Sequence, residues 1–113
     1  VRIQTSNLYK EGKVATTSVY TVFSDGTIDL ETTFLPQGVL PEIPRLGIAF
    51  CLAPAYDTFT WYGRGPQDNY PDRKTSAMIG LWKGSVAEQY VHYPRPQDSG
   101  NKEEVHYLTR QTE

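Results

Sequence analysis

Val19-Tyr20-Thr21-Val22-Phe23-Ser24-Asp25-Gly26-Thr27-Ile28-Asp29-Leu30-Glu31-Thr32 is the stretch that sets the fold class. Apolar or β-branched residues recur at every second position on both sides of Asp25-Gly26, which is the strand period. Asp-Gly between two such runs signals a β-hairpin, because both residues tolerate the positive φ angles of a two-residue type I′ turn. With Asp25 and Gly26 as the loop, Ser24 faces Thr27, Phe23 faces Ile28, Thr21 faces Leu30 and Val19 faces Thr32. One face then gathers Val19, Phe23, Ile28, Leu30 and Phe34. The other, wetter face gathers Tyr20, Val22, Asp29 and Glu31. A slip of one residue would exchange the faces, so the register is a sharp expectation.

The same period runs outward from the hairpin. Arg2 to Leu8 reads as a strand, turned by Lys10-Glu11-Gly12 into a strand from Val14 to Ser24. Pro36, Gly38, Pro41 and Pro44 then make a loop, since proline is excluded from helix interiors and central strands. Leu46 to Ala53 alternates large (Leu46, Ile48, Phe50, Leu52) with small (Gly47, Ala49, Cys51, Ala53). Both faces are apolar, so this run is expected to be a central strand covered on both sides. Thr58 to Arg64, Ser76 to Lys83 and Val105 to Gln111 read as further strands, with one short helical turn near Val86 to Tyr90. The class is all-β, antiparallel and sandwich-like.

The chain has 113 residues, room for one modest domain with one core and no second domain. Its net charge is -2 with 21% charged residues of mixed sign, which argues against a nucleic-acid partner. No apolar run approaches the roughly 18 residues of a membrane span. Cys51 is the single cysteine; its apolar surroundings predict a buried, inert thiol. The chain starts at Val1 without an initiator Met and stops just after a strand-like stretch. It is expected to be an internal fragment of something longer, and its exposed sheet edges are expected to pair with a second copy.

Candidate chemistry concentrates in Trp61 to Arg73. Glycosidases need two carboxyl groups across the scissile bond, and Asp68 and Asp72 are the nearest local pair. Asp72 adjoins Arg73 and Asp68 lies in a Pro/Asn-rich loop, so both read more readily as loop-fixing carboxylates than as catalytic ones. His92 and His106 are far apart and lack a third ligand at metal-like spacing, so no metal is expected in this chain. Aromatic residues make up 12% and crowd the second half. Sugar recognition uses flat rings beside planar polar groups, a mixture supplied by Tyr62, Arg64, Gln67, Asn69 and Tyr70. Against it stands the plainer reading, in which Trp61 and Trp82 are sheet core covered by tyrosines.

Beyond these physical readings, Trp61-Tyr62-Gly63-Arg64-Gly65-Pro66-Gln67-Asp68-Asn69-Tyr70-Pro71-Asp72-Arg73 closely resembles the W-x-G-x-G-P-x-E-x-Y-x-D-R signature in the last domain of bacterial β-galactosidases of glycoside hydrolase family 2. Tyr90 to Asn101, with Pro96-Gln97-Asp98 and Gly100-Asn101, is similar to that family's Y-x-P-Y-x-x-P-Q-E-x-G-N. Ile43-Pro44-Arg45-Leu46-Gly47 resembles its L-P-R-I-G. Asp68 and Asp98 depart from the usual Glu, His92 from a proline and Lys102 from an arginine.

The resemblance implies part of a galactose mutarotase-like supersandwich within a parent that hydrolyses terminal β-galactosides with retention. It implies catalytic glutamates and magnesium in a barrel domain outside this chain, with no catalytic residue and no cofactor here. Tyr62, Arg64, Asp68 and Tyr70 are then the candidate substrate contacts. Trp61, Gly63, Gly65, Pro66, Asp72 and Arg73 are structural positions of the motif. The expected partners are the rest of the parent enzyme and its galactoside. A stand-alone carbohydrate-binding module is the alternative reading; a free-standing mutarotase would need an acid–base pair that the two histidines do not supply.

Overall fold

The computed structural model describes residues 1–9, 13–43, 45–95 and 98–112. The turn expected at Lys10-Glu11-Gly12, Pro44 of the proline loop, and Pro96-Gln97 of the second motif lie outside the described residues. The fold is all-β and antiparallel. Residues 1–48 and 49–113 form two compact units, each with one three-stranded sheet.

In the first unit the strands are β1 (Arg2–Tyr9), β2 (Val14–Val22) and β3 (Ile28–Pro36), with β2 in the centre. The hairpin forms, but its register differs by one residue from the expected one. Val22 faces Ile28, Tyr20 faces Leu30 and Ser18 faces Thr32, whose hydroxyls lie 3.0 Å apart. The loop is three residues, Ser24-Asp25-Gly26, closed by the Phe23 N–H donating to the Thr27 carbonyl at 2.9 Å. The cause is local. Gly26 sits at φ +88° whereas Asp25 does not enter the left-handed region, so a type I′ turn is not formed. Asp25 instead turns its carboxylate onto the Thr27 N–H at 2.9 Å, an Asx-type contact that holds its pKa below the ordinary aspartate value.

That slip re-sorts the two faces. Tyr20 and Val22, assigned to the wet face, join Val14, Ile28, Leu30 and Phe34, and Ile3 of β1 opposite Tyr20 completes the apolar side. Val19 moves to the other side, opposite Glu31. Phe23 lies just beyond the last strand pair, where its N–H closes the loop onto Thr27, and its side chain is half-exposed.

In the second unit β4 (Thr58–Gly65) is central, flanked by β5 (Met78–Ser85) and β6 (Tyr107–Gln111), with a 3-10 turn, η1, at Ala87–Gln89. β5 begins two residues later than the sequence suggests. Ser76 and Ala77 belong to the preceding loop, where the Ala77 N–H binds the Lys74 carbonyl at 3.0 Å. β6 likewise starts at Tyr107, after Glu104 at φ +53° has bent the chain.

The central strand expected over Leu46 to Ala53 is not formed, and Cys51 is exposed rather than buried. Alternation reports which side chains suit a strand, whereas a ladder also needs hydrogen-bonding partners. Among the described residues no strand pairs with this run.

Gly26 has open space around the position of a Cβ, so an alanine there meets no neighbour and suffers only the left-handed backbone. Gly26→Ala is expected to lower stability by about 1 kcal/mol in urea titrations. An unchanged midpoint would mean that the loop refolds freely into a different turn.

Candidate functional site

β4 places the first half of the motif by strand alternation. Trp61, Gly63 and Gly65 share one face, and Trp61 is paired across the ladder with Trp82 of β5. The glycines are needed for close approach. A Cβ at Gly65 would lie 2.7 Å from Trp82 Cδ1, and one at Gly63 would lie 2.9 Å from the Glu104 carbonyl oxygen. With both sites bare, the two indoles lie across the strand and each finds a main-chain acceptor. Trp61 Nε1 donates to the Arg64 carbonyl at 3.0 Å, and Trp82 Nε1 to the Gly63 carbonyl at 3.2 Å. Trp61 is 1% exposed and is the largest side chain of this core. The spacing Trp-x-Gly-x-Gly is thus a packing requirement of the sheet face.

The residues after β4 form a loop that begins at the cis Gly65–Pro66 bond and is clasped to the segment after Asp98. Asn69, 1% exposed, is its hub. Its main-chain N–H donates to the Asn101 carbonyl at 2.9 Å, and its carbonyl accepts from Asn101 Nδ2 at 2.7 Å. Its Nδ2 donates to the Gln67 carbonyl at 3.0 Å, and its Oδ1 accepts from the Glu103 N–H at 2.8 Å. Gln67 in turn donates to the Ser76 carbonyl at 3.1 Å.

Beside this clasp Asp68, Tyr70, Arg73 and Tyr93 form one cluster. Asp68 Oδ2 accepts from the Tyr93 hydroxyl, and Arg73 lies 3.6 Å from the same oxygen. The Tyr70 hydroxyl sits 3.2 Å from Asp68 Oδ2 and 2.7 Å from the Asp98 carbonyl, so its single proton lies between two acceptors. Burial, then its contact with Asp68, pushes the Tyr70 pKa up. The Arg73 guanidinium stacks over the Tyr70 ring at 4.5 Å and the Tyr93 ring at 5.0 Å. Asp72 is exposed in the turn closed by reciprocal main-chain bonds between Tyr70 and Arg73.

Arg64 belongs to a separate knot. Its terminal nitrogen donates to the carbonyls of Lys74 and Ala77 at 3.2 and 2.7 Å, and its Nε pairs with Glu104 at 3.0 Å. Lys74 reaches the same carboxylate at 2.8 Å, and these two cations hold the Glu104 pKa below the ordinary glutamate value. Tyr62 projects to the opposite sheet face from Trp61, and its ring contacts are His106 at 5.4 Å and Tyr107 at 5.8 Å. Of the four candidate substrate contacts, the structure therefore brings together Asp68 and Tyr70, while Arg64 and Tyr62 have other neighbours.

Sequence reasoning missed Tyr93, Asn101 and Lys102 as members of the site. Tyr93 and Asn101 fall in the second motif, so their place was signalled although their partners were not. Lys102 Nζ is shut off from solvent with no hydrogen-bond acceptor, 5.3 Å from the centre of the Trp61 ring. Desolvation pushes its pKa down, partly offset by the nearby Asp68 charge.

The folded chain is thus all-β, with a glycine-floored tryptophan face and a polar clasp between two loops. Comparison with known proteins gives the family. Residues 1–113 match the β-galactosidase small chain throughout, and the chain belongs to that family. It is 49% identical over 90 residues to the β-galactosidase of Priestia megaterium, covering 80% of this chain. It is 39% identical over 95 residues to that of Kluyveromyces lactis, covering 82%. In both cases the match spans 9% of the relative's length.

Two outcomes follow from the clasp. Asn69→Ala strands the Glu103 N–H and the Gln67 carbonyl, and is expected to lower stability by about 2 kcal/mol in denaturant titration. Lys102→Met should act oppositely. The folded pKa of Lys102 lies below that of the unfolded chain, so its charge opposes folding at neutral pH and this opposition fades as pH rises through the folded value. The substitution should therefore raise the denaturation midpoint at pH 7. Its advantage should shrink as pH approaches the ordinary lysine value of 10.5 and vanish above it. A pH-independent difference between the two proteins would refute the assignment.

Proposed function

We propose that the chain is an accessory segment of a full-length β-galactosidase that cleaves terminal β-galactosides with retention, and that it shapes the sugar site without supplying reacting groups. The observation that supports this most directly is how its polar side chains are spent. Asp68 Oδ2 is engaged by Tyr93 and Arg73, and Arg64 is committed to two carbonyls and to Glu104. A general acid or nucleophile must instead face the scissile bond, with a second carboxyl group at a fixed separation. Groups already tied into a network serve better as a preorganised wall.

In this reading Asp68 and Tyr70 form the part of the wall nearest the sugar, Tyr62 offers a half-exposed ring, and Arg64 holds β4 to the loop that follows it. The catalytic carboxylates and the magnesium belong to the barrel domain of the parent. The partners are the remainder of the parent protein and its galactoside. When the chain is isolated, β1, β3, β5 and β6 each have an unpaired edge among the described residues, and a second copy is the natural occupant.

Kinetics on a chromogenic β-galactoside test the proposal. The full-length protein should turn the substrate over, the isolated chain should not, and Asp68→Ala in the full-length protein should raise KM about tenfold, the worth of about 1.4 kcal/mol. Turnover by residues 1–113 alone, lost on Asp68→Ala or Asp72→Ala, would overturn it. Millimolar or tighter binding of galactose to the isolated chain would favour an independent sugar-binding module. Sedimentation velocity of the isolated chain should show association that increases with concentration.

A further inference from the structure

Asp25-Gly26 is the one Asp-Gly pair of the chain, and no Asn-Gly pair occurs. An aspartyl carboxyl can be attacked by the nitrogen of the peptide bond that follows it, closing a cyclic imide. A Cβ on the following residue crowds the closing ring, so glycine at that position favours the reaction. Every other aspartate here is followed by a residue with a side chain.

The fold presents this pair openly. Asp25 and Gly26 stand at the tip between β2 and β3, and both are exposed. The Cβ position of Gly26 has nothing within 4 Å, which leaves room for a ring at the tip. The Asp25 carboxylate folds back onto the Thr27 N–H at 2.9 Å, and the ring which that bond closes contains the Gly26 nitrogen. Carboxyl carbon and attacking nitrogen are thus held in one small circuit of atoms. The Gly26 N–H binds the Phe23 carbonyl at 3.2 Å, and this bond can be released without opening the ladder, because the paired residues end at Val22 and Ile28.

We propose that Asp25 is a modification site, converting spontaneously to isoaspartate through a succinimide formed with the Gly26 nitrogen. That nitrogen adds to Cγ of the protonated Asp25 carboxyl. The amide proton and a carboxyl hydroxyl leave together as water. Water then adds to one of the two imide carbonyls and breaks its bond to nitrogen. Addition at Cγ restores Asp25, whereas addition at the main-chain carbonyl leaves Gly26 joined through Cγ beside a free α-carboxylate. Water is lost and regained, so the composition is unchanged and no oxidant or cofactor takes part. The product carries an extra methylene in the main chain and lengthens the connection between β2 and β3.

The native full-length protein, incubated at mildly acidic pH in water enriched in heavy oxygen, tests the site by peptide mass spectrometry. Label at Asp25 is expected to exceed that at Asp29, which precedes Leu30 in the same hairpin, by about tenfold or more. An isoaspartyl methyltransferase with radiolabelled S-adenosylmethionine should methylate the same peptide. Asp25→Glu, whose longer stem disfavours the imide, should bring label at this position down to the Asp29 level. Equal label at Asp25 and Asp29 in the wild-type protein would overturn the proposal, as would undiminished label in Asp25→Glu. Label that enters Asp25 only after unfolding in urea would overturn it too, since the folded tip would then be closed to the reaction.

Discussion

A buried carboxamide holds the second unit's loops in place. Asn69 is almost wholly withdrawn from water, and a polar group so placed is tolerable only when its hydrogen bonds are made inside the protein. Each of its four polar groups has a partner, and these partners come from Gln67, Asn101 and Glu103. Satisfying one side chain therefore fixes the relation of two segments more than thirty residues apart in the chain. The remaining contacts of the site build on that geometry. Tyr93 can reach Asp68, and Tyr70 the Asp98 carbonyl, because the clasp has brought the second segment alongside the first.

The clasp and the sheet share a boundary at Trp61. Gly63 and Gly65 leave the strand face bare so that the indoles can lie on it, and the backbone of Glu104 and Val105 passes directly over Gly63. The same segment carries the Lys102 ammonium to 5.3 Å from the centre of the Trp61 ring. An ammonium without an acceptor is an unfavourable neighbour for an apolar core, and the ring's quadrupole and the Asp68 carboxylate only partly offset its lost hydration. The structure tolerates it because the flanking residues, Asn101 and Glu103, are pinned by Asn69. The unfavourable burial of the Lys102 ammonium is the consequence of order imposed one residue to either side.

Strand identity was legible in the sequence because it depends on neighbours within a few residues. The three strands of the first unit, the central strand Thr58–Gly65 and the short turn at Ala87–Gln89 all follow from local period and punctuation. Register and pairing depend on more. The Asp25-Gly26 dipeptide marks a turn, but its type hinges on whether Asp25 enters the left-handed region or caps Thr27, a difference of about a kilocalorie that shifts every partner by one. At Leu46–Ala53 the pattern names a strand without naming a partner. In the site, the spacing of Trp61, Gly63 and Gly65 was readable as a motif and acquires a packing reason only when Trp82 is seen. The roles of Tyr93 and Lys102 depend on contacts more than twenty residues away, for which sequence offers no local signal.

The two acidic departures from the family pattern show how side-chain and main-chain contacts differ in their tolerance. At Asp98 the contact with Tyr70 is made by the carbonyl, so a side chain shorter by one methylene leaves that bond untouched. At Asp68 the carboxylate itself is the acceptor, and a shorter stem draws it back towards its own backbone. The Tyr93 hydroxyl and the Arg73 guanidinium nonetheless meet there, and Arg73 lies over both Tyr70 and Tyr93. Two aromatic rings that position the guanidinium by stacking can follow a small retreat of the carboxylate, whereas a fixed main-chain donor could not. The short acid is therefore compatible with the same contacts, its carboxylate meeting both Tyr93 and Arg73.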